Sequence, residues 1–326
     1  MIARAALVVI YALLSLHSVT YADEQAEPGP AWLGRMVQAA DELSYEGVFV
    51  FVKDGVLEAA RVIHRGSEGH RTRIVSLNGE LREIHRVEGR VIRYFPARGI
   101  MVEGARGFPP FFSGWPNNVE RVLAHYKLHD EGPDRVADRP CQRTAVVPKD
   151  EYRFGYLLCL DRDTGLLLDA QMIDDRRLVR QQVMFAQLRI GGVTDDSDFE
   201  PNVDESQLKK HPHVGTSAMP PPDDVVRWYA AELPPGFETM MHGIRRHPDV
   251  DHDVQQVVYS DGLTAISVFV SPILEDGDVF TGEFQKGSAN AYGFVVEGHQ
   301  ITVVGEAPYP TLRLIGESMR QGDMAD

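Results

Sequence analysis

The stretch that most constrains this chain is a helix-patterned segment running straight into a strand that is apolar on both faces. Trp32, Leu33, Met36, Val37, Ala40 and Leu43 recur at three- and four-residue spacing, so one helix face must be buried. The strand Tyr45 to Val52 then puts Val48, Val50 and Val52 on one side and Phe49 and Phe51 on the other. A strand of this kind is covered twice, by core on one face and by a helix or a ligand on the other. Sheet built outward from it is expected as far as about Leu188.

After the turn Lys53-Asp54-Gly55 the sequence predicts a meander: 57–65, 70–77, 80–87, 90–95 and 99–103, with Asn78-Gly79 as the strongest hairpin signal. Arg71 with Arg73, and Arg82 with Arg86, recur at period two and mark charged strand faces. Phe108, Phe111, Phe112 and Trp115 follow on a stretch too rich in Gly and Pro for helix or central strand. Two readings stand for it: a loop packed down on the core of its own domain, or a mobile flap over a hydrophobic cavity. Asn117 or Asn118 then caps a helix carrying Val119, Val122, Leu123 and Tyr126.

Arg4, an apolar run over 5–16 and Thr20-Tyr21-Ala22 read as an export signal cleaved before Asp23. Loss of Arg4 takes the net charge from −15 to −16, a balance unsuited to nucleic acid. Residues 45–106 run against that trend, with 11 Lys and Arg to 8 Asp and Glu. Export also suits a disulfide. A hairpin centred on Asp150 makes partner numbers sum to 300, which sets Cys141 directly opposite Cys159 at bridging distance.

From 194 to 222 the pattern lapses into an acidic, proline-ended linker, and Asp223 or Asp224 caps a helix with Val226, Tyr229, Ala230 and Leu233. Strands near 237–246, 254–260, 263–270, 289–296 and 300–305 and a helix over 311–320 complete a second domain. The expected division is therefore signal 1–22, first domain 23–193, linker 194–222 and second domain 223–326. Nucleophile-elbow, phosphate-loop, dinucleotide and zinc-protease motifs are all missing from the sequence, which favours a binding protein over an enzyme. His247 to Asp253 has metal-ligand residue types but reads best as an acidic hairpin loop, so neither metal nor cofactor is expected.

Five strings carry a resemblance to a known family: Tyr45 to Phe51, Asp150 to Tyr156, Asp163 to Leu168, Tyr259 to Val270 and Val303 to Pro308. The chain resembles the RseB/MucB family of periplasmic sigma-E regulatory proteins. The resemblance implies an α+β chain: an unclosed antiparallel β-barrel wrapped around helices, similar to the lipoprotein carriers LolA and LolB, plus a smaller C-terminal α/β domain with an antiparallel sheet. It implies a partner too, the periplasmic part of an RseA- or MucA-like anti-sigma factor, shielded from the site-one protease until lipopolysaccharide or mislocalised lipoprotein releases it. A second copy of the chain is a further candidate partner. For such a lipid the residues themselves offer Phe49, Phe51, Phe108, Phe111, Phe112 and Trp115 as cavity wall and mouth, and Arg71, Arg73, Arg82 and Arg86 as headgroup contacts; period two leaves open whether Phe49 and Phe51 or the valines of the strand face the cavity, and whether the arginines only solvate the outer sheet face. Two rivals remain, a plain periplasmic lipoprotein or lipid carrier and an unfamiliar hydrolase built on His247 to Asp253.

Overall fold

The computed structural model describes residues 29–66, 70–87, 89–104, 119–192, 195–212, 227–246, 253–273 and 278–322. The expected signal lies outside them, as do Phe108, Phe111, Phe112, Trp115 and residues 247–252.

Helix α1 (Gly29–Glu42) leads into β1 (Tyr45–Lys53), which lies at the centre of a 12-stranded sheet. On one side of β1 run β2 (Val56–Arg65), β3 (Arg71–Ser76), β4 (Glu83–Val87), β5 (Arg90–Phe95) and β6 (Ile100–Gly104). Helix α2 (Val119–His125) then leads to β7 (Tyr126–Val136), β8 (Arg139–Pro148), β9 (Gly155–Asp161), β10 (Leu167–Ile173) and β11 (Val179–Ile190), and β11 returns to pair with β1. Register shifts interrupt the pairs β1/β11, β10/β11, β9/β10 and β7/β8, whereas the described β2 to β6 ladders run without one. Bulges add twist and bend to the strands that carry them, and these lie in the β7 to β11 half of the sheet and at its seam with β1. The sheet stays unclosed.

The concave face wraps α1. Trp32, Leu33 and Met36 pack with Val122, Tyr126, Val146, Leu158 and Leu160, while Ala39 joins Tyr45, Phe49, Val62, Ile74 and Phe185. On β1 Phe49 is buried, while Phe51 and the valines Val48, Val50 and Val52 are half-buried. Gly47 has a steric reason: a Cβ there would meet the Gln187 carbonyl oxygen at 2.4 Å.

Cys141 and Cys159 form the expected disulfide, with Cα atoms 5.5 Å apart. Its register differs from the expectation. Cys141 pairs with Asp161 and Arg143 with Cys159, so partner numbers sum to 302 and the bridge runs diagonally. The turn is centred one residue later because the Asp150 side chain accepts from the Tyr152 amide and the Arg153 side chain, folding 150–153 into a compact loop. Strand twist shortens one diagonal of such a pair enough to bridge it.

Residues 195–212, read as linker, are strapped to the convex face of β3 to β6. Asp196 pairs with Arg65 at 2.6 Å, the Asp198 carbonyl accepts from Arg73 at 3.0 Å, and Tyr94 donates to Glu205 at 2.6 Å. Phe199 is buried under the Arg65 guanidinium. β12 (Lys209–Pro212) then adds itself parallel to β6. The acidic run is held down because the sheet face beneath it is basic.

The second domain is a six-stranded antiparallel sheet in the order β14 (Glu238–Arg246), β15 (Asp253–Ser260), β16 (Ala265–Pro272), β19 (His299–Gly305), β18 (Ala289–Val296), β17 (Gly282–Lys286). Helix α3 (Tyr309–Glu317) packs on β18 and β19. Among the described residues the helix expected from Asp223 is not formed. Trp228–Ala230 is instead a short strand, β13, paired with β20 (Met319–Gln321), because Trp228 is buried in the second core with Phe237, Val257 and Leu312. Tertiary burial of Trp228 overrides the helical spacing.

Candidate functional site

Between the concave sheet face and the second domain lies a cavity of about 530 Å³, within the range of small-ligand pockets. Its floor comes from β1 and its neighbours. Phe49 and Phe51 project into it from β1, Ala60 and Ile74 from β2 and β3, Ile84 and Phe95 from β4 and β5, and Met172 and Val183 from the other side. Leu263 and Glu306 from the second domain complete the wall. These apolar side chains share one face because strand alternation sends every second residue inward.

The polar groups collect at the hairpin end, where Lys53, Glu58, Ser76, Arg82, Gln181 and Glu306 meet. Arg82 is paired with Glu58 at 2.6 Å and Lys53 with Glu306 at 2.7 Å. Arg93 also lines the wall, and burial pulls its guanidinium below the usual arginine range. Tyr156 faces the same space, its phenol pushed up by burial and therefore neutral.

Of the expected site residues, the structure brings Phe49, Phe51 and Arg82 together at the cavity. The four arginines do not form one patch. Arg71 and Arg73 lie on the convex face, where Arg73 pairs with Glu83 at 3.1 Å and Arg71 faces Asp196 at 3.4 Å. Arg86 opposes Thr72 next to His64, away from the cavity lining. Burial would raise the Glu83 carboxyl, but hydrogen bonds from His85, Arg73 and the Asn202 amide outweigh it and hold it below its usual range. Sequence reasoning missed Lys53, Arg93, Leu263 and Glu306. For Lys53 the signal was available, since it continues the Phe49, Phe51 alternation by one step.

The two domains meet on both sides of this cavity. At one end Arg153, with a fully buried side chain, donates to Asp261 at 2.8 Å, Asp150 at 3.0 Å and the Pro235 carbonyl at 2.6 Å. Its guanidinium also lies over the rings of Tyr126 and Phe237, 5.7 and 5.3 Å from their centroids. Thr311 donates to the Tyr152 carbonyl beside it. Gly236 sits here with φ +81°, and a Cβ would strike the His125 ring. At the other end lie Lys53–Glu306, the Ser288 amide on Asp54 at 2.7 Å and Arg180 on the Gly287 carbonyl at 3.0 Å. Three of the strings that carried the resemblance thus supply Arg153, Asp261 and Glu306 to one junction.

Residues 28–209 match the family model of the MucB/RseB N-terminal domain, and residues 222–320 that of the MucB/RseB C-terminal domain. This chain belongs to the MucB/RseB family. It is 30% identical over 302 residues to the sigma factor AlgU regulatory protein MucB of Pseudomonas aeruginosa, covering 91% of this chain and 92% of that protein. The solved complex of Pseudomonas aeruginosa MucA and MucB is similar in fold, with a TM-score of 0.73 at 28% identity over 90% of this chain and 99% of the solved chain. A crystal structure of MucB gives a TM-score of 0.59 at 25% identity, covering 90% and 97%. This MucB/RseB chain thus has the higher TM-score to the MucA/MucB complex of these two structures.

Proposed function

We propose that this chain is a periplasmic negative regulator of an envelope-stress sigma factor. It binds the periplasmic part of a MucA-like membrane anti-sigma factor, shields that segment from site-one proteolysis, and releases it when an acyl chain of lipopolysaccharide or of mislocalised lipoprotein enters the cavity. The observation that carries this reading is the family match across both domains, with a solved MucA/MucB complex similar over nearly the full described length. The cavity supports the lipid half of it. Burial of about four methylenes against walls such as Phe49, Phe51 and Met172 contributes on the order of 3 kcal/mol to binding, and the junction shifts by whatever part of that is lost when the second-domain wall of the cavity moves.

A pull-down of envelope proteins with the full chain, with and without lipopolysaccharide, tests the reading. The expected result is an anti-sigma factor retained without lipid and lost with it. Recovery of lipoproteins alone would favour the carrier reading instead.

A further inference from the structure

The cavity is built by two domains, and its polar end holds a carboxylate that belongs to the second one. Lys53 Nζ lies 2.7 Å from Glu306 Oε1, and both side chains line the cavity. Glu306 also accepts from Ser288 Oγ at 2.6 Å and from Gln181 Nε2 at 3.4 Å. Lys53 follows Phe49 and Phe51 on the same face of β1, so a chain lying along those rings ends at its ammonium group. Glu306 occupies the position that an anionic end group would take.

We propose that Lys53 is the headgroup subsite of the cavity, and that an acidic amphiphile placing its carboxylate or phosphate there displaces Glu306 and loosens this end of the domain junction. The proposal rests on the lipid reading above and names its chemistry. Exchange is favoured by exposure: the Lys53 and Glu306 side chains are 36% and 34% accessible, against 0% and 1% for Arg153 and Asp261. An ion pair that open holds its partner by no more than about fivefold, so an incoming anion already anchored by its chain competes well. Arg153 and Asp261 stay joined, and the second domain pivots rather than detaches. Because Glu306 and the ligand compete for one cation, whatever fixes the second domain in place must in turn weaken ligand binding by the same factor.

The test uses the full chain and three probes in calorimetric titration: dodecanoate, dodecanol and butanoate. Wild type is compared with Glu306→Gln, which keeps an acceptor for Ser288, and with Lys53→Met. Dodecanoate should bind wild type more tightly than dodecanol, gain up to about fivefold in Glu306→Gln, and lose its advantage over dodecanol in Lys53→Met. Dodecanol should be indifferent to Glu306→Gln, and butanoate should not bind. Dodecanoate, but not dodecanol, should speed amide exchange at Ser288, whose N–H is held by Asp54. Equal binding of dodecanoate and dodecanol by all three proteins would overturn the Lys53 subsite while leaving a lipid cavity in place. Butanoate binding as well as dodecanoate would make Lys53 a simple anion site and sink the amphiphile. If neither long-chain probe binds wild type, the lipid reading of the cavity fails together with the subsite.

Discussion

The two ends of the domain junction use the same kind of contact in opposite settings. At the Arg153 end the cation is wholly buried, shared by two carboxylates and a carbonyl, and lies over two aromatic rings. At the Lys53 end one ammonium meets one carboxylate in the cavity lining, each about one-third exposed. A buried pair is expensive to break because the group left behind has no water, whereas an exposed pair exchanges partners with solvent at little cost. The comparison teaches that the junction has a fixed end and an exchangeable end, with the cavity lying between them.

The largest expected effect comes from breaking the fixed end. Asp261→Ala leaves the buried Arg153 guanidinium with Asp150 as its one carboxylate, beside the Pro235 carbonyl, and should cost about 3–5 kcal/mol in urea unfolding. A cost under about 1 kcal/mol would put both ends on the same footing.

Removing the Cys141–Cys159 bridge, which closes a sequence separation of 18, should cost about 3 kcal/mol in the chain-entropy model. That loss belongs to the first domain's interior. Thermal unfolding of the double Ala variant should therefore shift while exchange protection around Asp261 in the folded protein stays unchanged.

Acid should weaken the first domain through His64. Burial lowers its pKa to about 4, aided by the nearby Arg86 and His70 charges, and the ring is held by Thr72 at 2.8 Å and lies tilted against Tyr45 with centroids 4.8 Å apart. The folded value lies below the unfolded value of about 6.5, so the unfolded chain binds the extra proton in between. Stability is thus full above about pH 6.5 and falls by roughly 3 kcal/mol as pH drops towards 4. His64→Phe should flatten the slope in that window, and an unchanged slope would show that other groups carry it.

The smallest effect is expected at the exchangeable end. Glu306→Gln should change unfolding free energy by less than about 1 kcal/mol. A loss comparable to that of Asp261→Ala would remove the distinction between the ends.

Much of the fold was legible in the sequence because it follows from local periodicity. The alternation of Val48 to Val52 located the central strand, but period two left open which face lines the cavity, and in the structure it is the face of Phe49 and Phe51. The disulfide was legible from parity, though its register was not, since centring the turn one residue later moves the partner sum by two without changing which face each Cys occupies. What failed to show was long-range charge pairing. Asp195 to Glu205 looks solvated in isolation and becomes a strap only when Arg65, Arg71 and Arg73 are brought under it. The basic excess in residues 45–106, followed by an acidic run, was the available hint. Arg153 and Asp261 stand 108 residues apart, and nothing local announces that they meet. Arg71 and Arg82 also show the limit of period two, which sorts faces within a strand but not between strands.

The most direct measurement for the account as a whole is calorimetric titration of the periplasmic segment of a MucA-like anti-sigma factor into the full chain, alone and after saturation with lipopolysaccharide. The account predicts saturable binding to the lipid-free chain and at least tenfold weaker binding to the loaded one, about 1.4 kcal/mol of coupling. Binding of equal strength in both states would contradict it.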